Sequence, residues 1–136
     1  MNHAERERDF MLVNHRHHSA RARCVKRGNL LHIDYTGSIS LDSIDVLEGL
    51  VLPNRDGASA VIERLDTAIV LFAGPVRVSS ANYPPWLPPS AVIVPHDQMQ
   101  RSREFCLLLG KIGILRTAWY PEHLHLAQAW CEAIKS

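Results

Sequence analysis

The stretch that decides the fold runs from residue 91 to residue 134 and reads AVIVPHDQMQRSREFCLLLGKIGILRTAWYPEHLHLAQAWCEAI. It begins with a short apolar run rich in β-branched side chains, which is typical of a buried strand. Asp97 and Gln100 have the spacing of a capping box, so a helix is predicted to begin here. The helix is predicted to end at Gly113, because glycine readily takes the left-handed conformation that terminates helices. Its apolar positions give a predicted buried stripe of Met99, Phe105, Cys106, Leu109 and Ile112.

The rest of this stretch predicts a second strand and a closing helix. Residues 114–120, ILRTAWY, alternate in the manner of a half-buried strand. Pro121 suits the first position of a helix, where its missing N–H costs nothing. A strand, a helix and a following strand of this size form a parallel pair with a right-handed crossover. The buried stripe predicted for the closing helix is Leu124, Ala127, Trp130, Cys131 and Ile134.

A β-hairpin and a helix are predicted nearer the N-terminus. Gly28 and Asn29 separate residues 20–27 from residues 30–36, and a two-residue link of this kind closes a hairpin. The second arm alternates apolar and polar residues, as expected of a sheet with one buried face. Residues 40–51 then predict a helix with an apolar stripe.

The middle of the chain is less regular. Residues 59–65 predict a strand, and the apolar residues 68–73 fit either a strand or a buried helix. Residues 79–90, SSANYPPWLPPS, contain four prolines and predict an extended loop rather than an interior strand. Its two aromatic residues, Tyr83 and Trp86, either pack on the domain or form a recognition surface, and the packing interpretation is favoured because large apolar groups are usually covered.

The composition indicates one domain that neither spans a membrane nor specialises in binding nucleic acid. The chain has 136 residues and a formal net charge of only +1, whereas dedicated nucleic-acid binders are usually basic. No apolar run approaches the roughly 20 residues that a membrane helix needs, and charges interrupt the N-terminus where a secretory signal would be apolar. Residues 1–19 are predicted to be a flexible tail, and residues 20–136 a single domain.

The cysteines and histidines give little sign of catalysis or metal binding. Three cysteines without C-x-x-C spacing predict thiols in a reducing cytoplasm. Cys24 lies among basic residues that could lower its pKa, but no neighbouring pattern completes a catalytic set, so a structural cysteine is the favoured interpretation. The tail histidines, His15, His17 and His18, lack the fixed ligands of a closed metal site.

Three segments carry a resemblance to a known family: LLHIDYTGSIS (30–40), residues 91–119 and LAQAWCEA (126–133). Their order and spacing resemble the STAS-like fold of the SpoIIAA type, in particular its small stand-alone bacterial members. The resemblance implies an α/β fold with a mixed four- to five-stranded sheet and helices mainly on one face. It also implies a role as an interaction module, in some members regulated at an Asp-Ser-Ser motif. Neither Asp66-Thr67 nor Ser79-Ser80 matches that motif, so no phosphorylation site is transferred.

The leading functional hypothesis is a cytoplasmic, non-catalytic module that binds a protein partner or itself, without a cofactor. Dimerisation is possible because the first hairpin arm would present an open sheet edge. A carrier of a small apolar ligand is the alternative, and an enzyme using Cys24 or His96 is a weaker one. The candidate surface for a ligand or partner comprises Tyr83, Trp86, Phe72 and Trp119.

Overall fold

A computed structural model of the chain describes residues 5–13, 19–40, 58–71 and 88–134, with side chains for 21–38, 58–68 and 88–134. The described residues form one mixed sheet of seven strands and two α-helices. The strands are β1 (Glu5–Val13), β2 (Ser19–Arg27), β3 (Leu30–Ser40), β4 (Ala60–Arg64), β5 (Ala68–Leu71), β6 (Ser90–Ile93) and β7 (Arg116–Trp119). The helices are α1 (Met99–Lys111) and α2 (Leu124–Ile134).

The strand order confirms the predicted α/β fold with a mixed sheet. It runs β1-β2-β3-β4-β6-β7, with β1, β2 and β3 antiparallel to one another in turn and β3, β4, β6 and β7 all parallel. The five consecutive strands from β2 to β7 are the predicted core of the sheet, and β1 and β5 extend it. β5 continues the line of β4 along β3, and Thr67 Oγ1 donates a hydrogen bond of 2.7 Å to the carbonyl of Tyr35 between these two pairings.

The predicted hairpin is confirmed, and β1 is a strand within residues 1–19, which were expected to be a flexible tail. Gly28 joins the hairpin arms with φ +60°, the left-handed region that favours glycine. β1 then pairs along the whole length of β2, and its register sets Glu5 opposite Arg27 and Asp9 opposite Arg23. Sequence periodicity missed β1 because its alternation is between acidic and basic residues rather than between apolar and polar ones. The pairing also covers the first hairpin arm, so that arm is not the open edge that was expected.

The β6–α1–β7 unit forms as predicted, with one local difference at the start of α1. Asp97 lies within a 3₁₀ turn, His96–Gln98, and the N-cap residue Gln98 makes no side-chain capping bond. The predicted capping box is therefore wrong, because the tighter turn moves the start of the α-helix to Met99. The predicted end is confirmed, since Gly113 has φ +86°.

The arrangement of the two helices differs from the expectation that helices lie mainly on one face. α1 packs on the face that carries Tyr35, Val61 and Val92, and α2 on the face that carries Ile62 and Ile93. Alternate residues of a strand point to opposite faces, so both faces of β4 and β6 are covered. This coverage explains why every residue of β6 is buried and why the strand is apolar after Ser90.

Three earlier expectations concern parts of the chain outside the described residues. They are the helix predicted over residues 40–51, apart from Ser40 at the end of β3, the proline-rich loop up to residue 87, and the tail histidines. The apolar segment from residue 68 is a strand, β5, over its described part, which settles its ambiguity there.

Candidate functional site

The most unusual group of side chains in the described residues is a polar network buried between the sheet and α1. At its centre is Glu63 of β4, whose side chain is 2% exposed. Its Oε1 accepts a hydrogen bond of 2.8 Å from the Tyr35 hydroxyl, and its Oε2 lies 2.9 Å from Nη2 of Arg116. Tyr35, Glu63 and Arg116 belong to β3, β4 and β7, so one buried cluster links strands across the sheet.

Arg116 is held by contacts on two further elements. Its Nε donates a hydrogen bond of 3.1 Å to the hydroxyl of Ser90 in β6, and its guanidinium carbon lies 5.6 Å from the centre of the Phe105 ring in α1. The Arg116 side chain is only 6% exposed. Glu63 Oε2 receives no aligned hydrogen bond from the described residues, so its contact with Arg116 is an ion pair rather than a well-formed hydrogen bond.

The charges of this network restrain the strands that it links. Burying a charge is costly unless an opposite charge accompanies it, so Glu63 and Arg116 stabilise each other only when β4 and β7 lie in this register. Sequence reasoning missed the pair because a charged residue in a strand is normally placed on the exposed face. The available signal was the alternation of faces along a strand. Glu63 lies two positions from the buried Val61 and two positions from the buried Leu65, and thus shares their face.

A second polar group lies at the carboxyl ends of β6 and β7, where open α/β sheets commonly bind ligands. His96 follows β6, and its Nε2 lies 2.8 Å from Glu122 Oε2. The His96 ring stacks on the Tyr120 ring with a centroid distance of 4.5 Å. His123 meets the edge of the same Tyr120 ring, and Arg103 of α1 lies 5.8 Å from its centre.

The pair formed by His96 and Glu122 is exposed to solvent, with side-chain exposures of 64% and 52%. The pKa of Glu122 is lowered, first because its own backbone N–H bonds the carboxylate and second because His96 does. A His–carboxylate pair can take part in proton transfer. The described contacts of these two residues include no serine or cysteine, and the enzyme that uses His96 stays a prediction.

The cysteines are poorly placed for chemistry. Cys24 is 4% exposed and belongs to the core on the α1 face, so the basic residues around it in sequence do not make it an accessible thiol. Cys131 is fully buried, and this burial raises its pKa to about 11. Cys106, expected to be buried, is partly exposed. All three cysteines lie in the described residues, and none forms a disulfide.

Of the candidate ligand surface, only Trp119 lies in the described residues with its side chain. It is half-buried on the α2 face, where its ring lies 6.3 Å from the ring of Trp130. Its indole N–H donates a hydrogen bond of 2.7 Å to the Thr117 hydroxyl. Phe72, Tyr83 and Trp86 lie outside the described residues, so the predicted apolar pocket stays a prediction.

The outer edge of β7, the side that faces away from β6, is the backbone feature most suited to binding. Among the described strands β7 pairs with β6 alone. The carbonyls of Leu115 and Trp119 accept hydrogen bonds from Ser90 and Val94 of the β6 side. Because alternate residues direct their backbone groups to opposite sides of a strand, the N–H and C=O groups of Arg116 and Ala118 point to the outer edge.

A row of alternating charges crosses four strands of the sheet. The pairing register aligns Asp9, Arg23, Asp34 and Arg64 across β1, β2, β3 and β4. Arg64 also forms an ion pair of 2.9 Å with Asp66, and its pKa is raised chiefly by the hydrogen bond to that carboxylate. Opposite charges on neighbouring strands favour this register.

Further tests for a site or a relative give no positive result. The described residues contain no group of three or more His, Cys, Asp or Glu side chains that could hold a metal ion. None of the described helices is long and apolar enough to cross a membrane. No protein-family model, curated protein or solved structure matches the chain.

Proposed function

We propose that this protein is a non-catalytic interaction module of STAS-like type that binds a protein partner or a second copy of itself. The observation that carries the proposal is the outer edge of β7, where the backbone N–H and C=O of Ala118 face outward. An extended segment of a partner can add to such an edge as a further strand, with main-chain hydrogen bonds supplying affinity.

The sequence of β7 is compatible with this role because it contains neither proline nor lysine, two residues that block an exposed edge. Natural edge strands are commonly blocked by proline, by outward lysines or by bulges. β7 reads RTAW, and its single charge, on Arg116, is directed into the buried ion pair with Glu63. The flanking Leu115 is 52% exposed, which adds an apolar contact beside the edge.

We propose a non-catalytic role because of where the reactive side chains lie. The Glu63 carboxylate and the Arg116 guanidinium are buried and form an ion pair with each other. The thiols of Cys24 and Cys131 lie in the core, and the exposed His96 is paired with a carboxylate. These placements favour recognition over catalysis.

The proposal is tested by replacing Ala118 with proline. Ala118→Pro removes the outward N–H, but the side of β7 that bonds β6 keeps its donors, and proline is tolerated at edge positions of this kind. Leu107→Ala is the matched control, because Leu107 is 71% exposed and belongs to α1 rather than to β7. Circular dichroism would first establish that both variants fold.

The measurement is sedimentation velocity of the purified protein, alone and with partners captured by the wild type. Association, whether with itself or with a captured partner, is expected to be lost in Ala118→Pro and retained in Leu107→Ala. Equal association by all three proteins would remove the outer edge of β7 as the binding surface.

A further inference from the structure

An apolar surface lies on the α2 face of β7. Leu115, which directly precedes the strand, Thr117 and Trp119 are alternate residues and therefore share this face. Trp119 packs there beside the core cluster that α2 covers. α2 itself lies over β4 and β6, and its Trp130 ring meets Trp119 at the side of β7. Leu115 is consequently 52% exposed, and the two tryptophans are only half-buried.

The two tryptophans offer ring faces to a ligand. Their ring centres lie 6.3 Å apart and their planes are inclined at 52°, so the rings do not cover each other by stacking. Leu126, one helical turn before Trp130 on α2, is 46% exposed and extends the apolar surface. All of these side chains are uncharged, so the surface suits an apolar ligand rather than an ionic one.

The polar groups of this surface include two hydrogen-bond donors. The Trp119 indole N–H donates a bond of 2.7 Å to the Thr117 hydroxyl oxygen, which leaves the Thr117 O–H as a donor. The Trp130 indole N–H bonds to none of the described residues and is not one of their buried unpaired polar atoms, so it is open to solvent. The surface therefore combines exposed ring faces with adjacent donors.

A proline-rich segment in the polyproline II conformation has the complementary chemistry. Its prolines carry no N–H, so its backbone presents carbonyl acceptors beside apolar rings, and its conformation is largely fixed before it binds. Aromatic-lined grooves recognise such segments for these reasons. Leu115 and Trp119 are about 13 Å apart along the strand, at about 3.3 Å per residue. About five residues of polyproline II span this distance, at about 3.1 Å per residue.

We infer that the α2 face of β7 binds a proline-rich segment of a partner protein. The segment lies against the rings of Trp119 and Trp130, and its carbonyl oxygens accept hydrogen bonds from the Trp130 indole and the Thr117 hydroxyl. This surface is a face of the sheet, so the inference does not depend on the outer edge of β7 that carries the proposed function.

The test is a titration with decaproline, followed through the indole N–H signals in proton–nitrogen NMR. The chain has three tryptophans, and Trp119→Phe and Trp130→Phe assign their signals. Trp130→Phe keeps an aromatic ring beside Trp119 but removes the donor, so it should weaken decaproline binding about threefold or more. His125→Ala is the matched control and should bind as the wild type does. His125 is exposed on α2, about 140° around the helix from Trp130. Circular dichroism establishes that each variant folds.

Saturable movement of the Trp130 signal with decaproline, and none with a glycine–serine peptide of the same length, is the expected result. No saturation at millimolar decaproline, or equal affinity in the wild type and Trp130→Phe, would overturn the inference. Movement with free indole but not with decaproline would make this a small-ligand site and refute the proline-rich partner. Movement that follows protein concentration without any peptide would assign the surface to a second copy, which also refutes it.

Discussion

The buried pair of Glu63 and Arg116 allows a quantitative test of the fold. The two side chains are 2% and 6% exposed, so water screens their interaction little. Arg116→Met removes the charge and the hydrogen bond to Ser90 but retains an apolar chain against Phe105. It leaves Glu63 buried with the Tyr35 hydroxyl as its described hydrogen-bond donor. Removing one partner of a buried ion pair typically costs about 3–5 kcal/mol of unfolding free energy.

That cost is large beside the roughly 5–15 kcal/mol by which a domain is stable. The informative comparison is the double variant Glu63→Gln, Arg116→Met. Glutamine keeps an oxygen that can accept the Tyr35 hydrogen bond, yet it carries no charge that needs a partner. The double variant should therefore be more stable than Arg116→Met alone, by about 2 kcal/mol or more, because the uncompensated charge dominates the loss.

Urea denaturation followed by circular dichroism measures all four proteins of this cycle, including Glu63→Gln alone. A coupling energy near zero, with the losses of the two single variants simply adding, would refute the interpretation that the two charges stabilise each other. A loss of unfolding free energy below about 1 kcal/mol for Arg116→Met would show that the guanidinium is not buried against Glu63 as described. Ion pairs of exposed side chains contribute about that much.

Three further predictions concern single sites. Gly28→Ala should cost about 1–2 kcal/mol in urea denaturation through its left-handed φ of +60°, and Gly28→Asn less, because asparagine tolerates that conformation; an equal loss in both would contradict this reason. Iodoacetamide should alkylate Cys106 well before Cys131 in the native protein, as read by peptide mass spectrometry, and similar rates would contradict the burial of Cys131. Carbon-13 NMR should give Glu122 a pKa below its ordinary 4.5, and His96→Ala should restore only part of the shift because the residue's own N–H is the larger cause. The contribution of the Glu122 carboxylate to stability is then complete at pH values above the ordinary pKa, and it disappears as the pH falls through the lowered pKa. A full return of the Glu122 pKa to 4.5 in His96→Ala would contradict this order of causes.

The sequence predicts best where the structure depends on local pattern. The β6–α1–β7 unit, the end of α1 at Gly113 and the hairpin turn at Gly28 each follow from periodicity or from one residue's backbone preference. The start of α1 is less predictable, because a capping box and a 3₁₀ turn compete for the same few residues. β1 was missed because the alternating charges of its first half contribute no apolar signal, although Glu5 and Asp9 lie opposite arginines of β2.

The candidate sites depend on contacts between distant positions, which periodicity does not contain. Glu63 and Arg116 meet only because β4 and β7 flank β6 in one sheet. The side of β7 that faces outward follows from the strand order, which a list of predicted elements does not give. The alternation of faces along β4 would have placed Glu63 on the buried face, but its partner Arg116 becomes evident only from the fold.

The central claim, that the outer edge of β7 is the binding surface, is tested most directly by amide hydrogen exchange at Ala118 and Thr117. By alternation along the strand, the Thr117 N–H faces β6 and should be protected at every protein concentration. The Ala118 N–H faces outward, and its protection should rise with protein concentration, or on addition of a bound partner, as a strand is added. An Ala118 amide that exchanges equally fast at all concentrations and with every partner would contradict the claim.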